Sequence, residues 1–94
     1  PKYSFETIEQ MLLKCVAQGD EPELSFHLRG AKYMIIARQI AIRFKDARTN
    51  PAQSGGERYF ATLQELYAAP QIDGRSLEEL WDEADEFYCF DFEL

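Results

Sequence analysis

LSFHLRGAKYMIIARQIAIRF, residues 24–44, is the stretch whose reading decides the fold. A tight turn at Gly30-Ala31 sets Arg29 opposite Lys32, Leu28 opposite Tyr33 and Phe26 opposite Ile35 in an antiparallel pair. Leu24, Phe26, Leu28, Tyr33 and Ile35 then share one face, because side chains alternate along a strand. A second turn near Arg38-Gln39 sets Ala37 opposite Ile40, Ile35 opposite Ile42 and Tyr33 opposite Phe44, which carries the same face across a third strand. Slipping any strand by one residue would turn its apolar set outward, so three segments in agreement are stronger evidence than one alternation. Arg38-Gln39 does not favour positive φ, which leaves a longer or bulged second turn open. The opposite face holds Ser25, His27, Arg29, Lys32, Met34, Ile36, Arg38, Ala41, Arg43 and Lys45, a mixed basic surface expected to face water with Met34 and Ile36 partly covered.

Upstream, Ser4 is placed to cap a helix, Glu6 suits its positive end, and Tyr3 with Ile8 has the spacing of a hydrophobic staple. Phe5, Ile8, Leu12, Cys15 and Val16 follow helical spacing to a stop at Gly19. Downstream, 46–57 lacks apolar periodicity and contains Asn50-Pro51 and Gly55-Gly56, the composition of a mobile surface loop. Tyr59-Phe60 adds a short strand. Thr62-Leu63-Gln64-Glu65 and Ser76-Leu77-Glu78-Glu79 both have the capping-box form, and Asp73-Gly74 turns the chain between the two helices they open. The final helix directs Leu77, Leu80, Trp81 and Ala84 inward and Glu78, Glu79, Asp82, Glu83 and Glu86 outward. Beyond Asp85 the alternation of Tyr88, Phe90, Phe92 and Leu94 with Cys89, Asp91 and Glu93 predicts a last strand at 88–94, the alternatives being a continued helix or a docked tail. The expected fold is a single α+β domain over residues 1–94. It has an N-terminal helix, a three-stranded antiparallel meander, two short helices packed on the sheet and a C-terminal strand.

The 94 residues are enough to bury about two-thirds of the unfolded chain's surface. Hydrophobic residues make up 46% and aromatics 14%, well above what disordered chains carry, so a packed core is expected despite a net charge of −7. That charge is unevenly spread: residues 29–58 hold seven bases and two acids, whereas residues 71–94 hold nine acids and one base. Two distant cysteines, Cys15 and Cys89, without a signal-peptide pattern suit a reducing compartment, and no apolar run approaches the roughly 20 residues that span a bilayer. The expected location is therefore cytoplasmic, with no membrane partner.

No motif specifies a reaction, so no catalytic, cofactor-binding or metal-binding residue is assigned. The one histidine, His27, lies on a strand, and Cys15 sits on a core-facing helix stripe, so a Cys-His enzyme has no basis. One His and two distant Cys lack the paired spacing of a zinc site. Gly55-Gly56 is followed by no Lys-Ser/Thr, as a phosphate loop would require. The bases of the middle third invite a nucleic-acid reading, but a pI near 4.6 opposes phosphate at long range.

The acidic C-terminal region carries the sharper expectation. Glu78, Glu79, Asp82, Glu83 and Glu86 form a candidate partner-binding surface that would steer a basic protein, in the manner of acidic inhibitors and immunity proteins. The competing explanation is a charged helix face that only keeps the protein soluble. Two other readings stay open: a small ligand-binding protein or enzyme with a pocket under the 46–57 loop, and self-association through the outer sheet face using Met34 and Ile36.

The order of parts adds a resemblance. Arg29-Gly30-Ala31-Lys32-Tyr33, Phe60-Ala61-Thr62-Leu63-Gln64-Glu65-Leu66 and Ile72-Asp73-Gly74-Arg75-Ser76-Leu77-Glu78-Glu79-Leu80-Trp81 resemble small uncharacterised bacterial and mobile-element proteins. The resemblance implies a bacterial or phage cytoplasmic protein with an α+β fold. Its motifs are turns, caps and core positions, so it brings no catalytic residue with it.

Overall fold

The computed structural model describes residues 3–38, 41–46 and 57–94. The loop expected at 46–57, with any pocket beneath it, falls almost wholly outside these residues, as does Ile40. Helix α1 (Phe5–Ala17) is followed by strands β1 (Glu23–Leu28), β2 (Ala31–Ala37), β3 (Ile42–Asp46) and β4 (Glu57–Phe60). Helix α2 (Leu63–Ala68), a small hairpin of β5 (Pro70–Ile72) and β6 (Arg75–Ser76), helix α3 (Leu77–Leu80) with a 3₁₀ turn at Trp81–Glu83, and β7 (Asp85–Cys89) complete the chain. The main sheet runs β4-β3-β2-β1-β7 with antiparallel neighbours, and β5-β6 forms a separate two-stranded sheet. The fold is α+β as expected, with the meander widened to five strands. Among the described residues no helix is long and apolar enough to cross a membrane.

The expected inner face is the observed one. Leu24, Phe26, Leu28, Tyr33 and Ile35 are each at most 1% exposed and pack with Phe5, Ile8 and Leu12 of α1, Leu63 and Leu66 of α2, and Leu77, Leu80 and Trp81. The register differs from the expected one by two residues: Phe26 pairs with Tyr33 and Leu24 with Ile35. The turn is Arg29-Gly30, with φ of +51° and +76°, the primed geometry that matches strand twist. A turn at Gly30-Ala31 would have put a Cβ-bearing residue at the second positive-φ position, where Gly is best suited. On the next strand Ile35 pairs with Phe44 and Ala37 with Ile42, again a shift of two, because the connection is the longer one left open. It is closed by the Arg38 amide donating to the Ala41 carbonyl at 2.9 Å. An even shift preserves the faces.

Local signals bound the helices largely as read; at α2 only half of the expected capping box forms, Thr62 Oγ1 accepting from the Glu65 amide while the Glu65 carboxylate accepts from the Ala61 amide, both at 3.1 Å. The Ser4 side chain accepts from the Thr7 amide at 3.1 Å. Gly19 (φ +88°) closes α1 with a Schellman pair, Asp20 N–H to Cys15 C=O and Gly19 N–H to Val16 C=O, both 3.0 Å. Asp73-Gly74 adopts the same φ pair as Arg29-Gly30 and makes the β5-β6 hairpin.

The C-terminus departs from expectation. After Ala84 the chain is already extended, and β7 occupies 85–89 at the sheet edge beside β1 rather than 88–94. Cys89 pairs with Leu24, one residue from the start of β1, so the strand runs out of partner and turns. Its facing is also inverted at the end: Cys89 is buried while Tyr88 and Phe90 are 62% and 88% exposed. A bulge between Ser25 and His27, with Glu86 at φ +53°, inserts one extra residue and switches the alternation.

Trp81 is the hub of the core. Its ring lies 5.1 Å from Phe5, 5.3 Å from Phe87, 5.8 Å from Phe26 and 6.1 Å from Tyr67, so it touches α1, α2, strand β1 and the edge strand β7. Its indole N–H donates to the Tyr3 carbonyl at 2.9 Å.

Candidate functional site

The five acids of the candidate surface are all exposed, but the fold gives them different work. Ser76 caps α3, accepting from the Glu79 amide at 3.1 Å, while the Glu79 carboxylate accepts from the Ser76 amide at 3.2 Å. That is a complete capping box, and Arg75 Nε adds a contact at 3.4 Å. The Ser76 backbone bond, helped by Arg75, holds the Glu79 carboxyl below its ordinary range. Glu83 is gripped at both oxygens by Arg29, at 3.1 and 3.2 Å, and the Arg29 bond lowers its pKa too. The same guanidinium reaches Asp73 at 3.9 Å, which ties the two primed turns to the 3₁₀ turn. Glu86 is not on the helix but in the β7 bulge, where its carboxylate sits 3.0 Å from His27 Nδ1.

Glu78 and Asp82 have neither a hydrogen bond nor an ion pair among the described residues. Asp82 stands on the rim of an open groove of about 630 Å³ between α1, α2 and the 3₁₀ turn. Phe5 and Trp81 form its nearly buried floor, and the half-buried rings of Tyr3 and Tyr67 form its walls. Phe5 and Tyr67 are stacked with centroids 3.8 Å apart. Glu6 and Glu9 of α1 close the other rim, Glu9 receiving both its hydrogen bonds from the neutral Gln64 amide at 3.1 and 3.0 Å. Burial raises the Tyr67 hydroxyl pKa, and the charges of Glu78 and Asp82 raise it further, so the field of these two acids reaches the groove wall.

The structure thus brings Asp82 to the same groove as Glu6 and Glu9, with Glu78 close enough to act on Tyr67, and leaves Glu79, Glu83 and Glu86 in separate internal contacts. Sequence reasoning took Glu6 only as a favourable charge at a helix start, took Tyr67 only as part of the apolar side of its helix with Leu63 and Leu66, and passed over Glu9. For Glu79 a signal existed: the Ser76-x-x-Glu79 pattern already commits that carboxylate to its own backbone.

Cys15 and Cys89 are both buried, and burial raises both thiol pKa values, with the Asp91 charge adding to the rise at Cys15. Native protein is therefore expected to react with a thiol-specific disulfide reagent at least about tenfold more slowly than urea-unfolded protein. Equal rates would contradict the buried placement. Among the described residues no three His, Cys, Asp or Glu side chains converge on a metal-sized site.

The depressed carboxyls give stability a definite pH slope. Glu79 and Glu83 have folded pKa values below the unfolded one, so they stabilise above the unfolded carboxyl pKa of about 4.3, and that stabilisation is lost as pH falls through the folded values. Urea midpoints measured from pH 6 down to pH 2.5 are expected to fall, and Glu79→Gln with Glu83→Gln to fall less steeply. An identical slope in the variant would show that these contacts do not persist in solution. Conversely, Glu78→Gln with Asp82→Asn should leave Tm within about 3 °C of wild type, because neither carboxylate holds anything in place.

Comparison with protein-family models, with curated proteins and with solved structures found no match.

Proposed function

We propose that this protein is a non-enzymatic interaction domain of inhibitor or immunity type, whose acidic C-terminal region engages a basic protein partner. The observation that carries the reading is the division among the acids: Glu79 and Glu83 are held by internal hydrogen bonds and Glu86 stands 3.0 Å from His27 Nδ1, whereas Glu78 and Asp82 are exposed with no counter-ion among the described residues. Exposed charge with no structural duty is free to steer an approaching partner of opposite sign. The same net charge of −7 disfavours nucleic acid. The resemblance points to a bacterial or phage cytoplasm as the place to look.

The test is affinity capture from bacterial lysate with mass spectrometry, using wild type, Glu78→Gln with Asp82→Asn, and Glu79→Gln with Glu83→Gln. Capture of a basic protein by wild type and the last variant, but not by the first, is the expected pattern. The same proteins captured by all three would sink the reading.

A second reading is favoured by one observation. Tyr88 and Phe90, 62% and 88% exposed, stand beside Lys32 and Met34 on the outer sheet face, where the far side of β7 has no partner strand among the described residues. Exposed aromatics at a sheet edge suit self-association. Sedimentation equilibrium of wild type and Phe90→Ser decides it: a dimer lost on substitution supports the reading, and a monomeric wild type removes it.

A further inference from the structure

Resting on the proposed binding of a basic partner, we propose that the aromatic groove between α1, α2 and the 3₁₀ turn is the receptor for one arginine side chain of that partner. Its floor and walls are aromatic, and its charged rim groups are all carboxylates: Glu6 and Glu9 on one side and Asp82 on the other. Two of the donors at the groove are already committed. The Trp81 indole N–H is held by the Tyr3 carbonyl at 2.9 Å, and the Ser4 hydroxyl donates to Thr7 Oγ1 at 3.0 Å. A guest meets π-faces set between carboxylates of one sign, which favours a cation over an anion.

The positive end of the α1 dipole opposes a cation here, but it amounts to about half a charge, against the full charges of Glu6, Glu9 and Asp82. The negative field that raises the Tyr67 hydroxyl pKa is the one a cation would feel as attraction. Shape selects among cations. A bare metal ion lacks converging ligands among the described residues, and a compact ammonium is strongly hydrated. A guanidinium is planar, weakly hydrated and able to stack on a tyrosine ring while donating to carboxylates at its edges.

The groove is tested by titrating isotopically labelled protein with N-acetyl-arginine methylamide, with the citrulline analogue as a neutral isostere. The Trp81 indole N–H resonance is the reporter at the groove floor. Saturable shifts of that resonance, with a Kd of about 10 mM for a single side chain and a response at least about threefold weaker with citrulline, are expected. Tyr67→Leu, and separately Glu6→Gln with Asp82→Asn, should each weaken arginine binding about threefold or more. Equal shifts with citrulline, or arginine shifts that survive both variants, would overturn the proposal. If the groove stays silent while a basic partner is still captured through Glu78 and Asp82, the arginine site fails and the broader reading stands. A saturable groove response with no basic partner captured fails the broader reading instead.

Discussion

Trp81→Ala is expected to cost about 3–5 kcal/mol, which for a 94-residue chain with about 5–14 kcal/mol in hand leaves the fold marginal. Three losses coincide at that position. The indole is 5% exposed and its ring approaches Phe5, Phe26, Tyr67 and Phe87, so truncation empties the point where α1, α2 and the sheet meet. The surrounding rings sit on different elements and cannot close the cavity without shifting those elements. Removing the indole N–H also orphans the Tyr3 carbonyl at the helix entry. Trp81→Phe separates the parts, restoring most of the ring volume but not the hydrogen bond, and is expected to cost about 1–2 kcal/mol. Urea unfolding followed by circular dichroism reads both values. A loss below about 1 kcal/mol for the alanine variant would mean that Trp81 is not the hub of the core.

Gly30→Val is expected to cost about 2 kcal/mol for a different reason. A Cβ at Gly30 would meet nothing within 4 Å, so packing is not the obstacle. The obstacle is φ of +76°, a region that β-branched residues rarely enter. Moving the turn would not relieve the strain cheaply, because it would break the register that pairs Leu28 with Ala31 and Phe26 with Tyr33. Gly30→Asn tolerates the same φ and should cost clearly less in the same urea experiment. Equal costs for Val and Asn would show that the backbone torsion is not what Gly30 supplies.

Arg29 also marks where local reading stops. Alternation alone located the inner face, and it survived two register shifts because both were even. The position of the first turn was not legible, since arginine does not advertise positive φ and its anchor Glu83 lies 54 residues further along the chain. The edge strand failed in the same way: the bulge at Glu86 depends on how β7 meets β1, and nothing in Asp85–Cys89 by itself announces the switch that buries Cys89 and exposes Tyr88. Caps and core positions were legible because they are set within four residues. The exposure of the five acids was legible too, but their division into bound and unbound was not. It is decided by where Arg29, Arg75 and His27 come to rest, and by the approach of α1 that places Glu6 and Glu9 opposite Asp82.

The claim that the unbound acids face the partner is tested most directly by the association rate of the captured basic protein as a function of salt. Wild type is expected to show a rate that falls steeply between about 20 and 300 mM salt, as long-range attraction is screened. Glu78→Gln with Asp82→Asn should lower the low-salt rate and flatten that dependence, while Glu79→Gln with Glu83→Gln should change it much less. A wild-type rate indifferent to salt, or one unchanged when Glu78 and Asp82 are neutralised, would contradict the account.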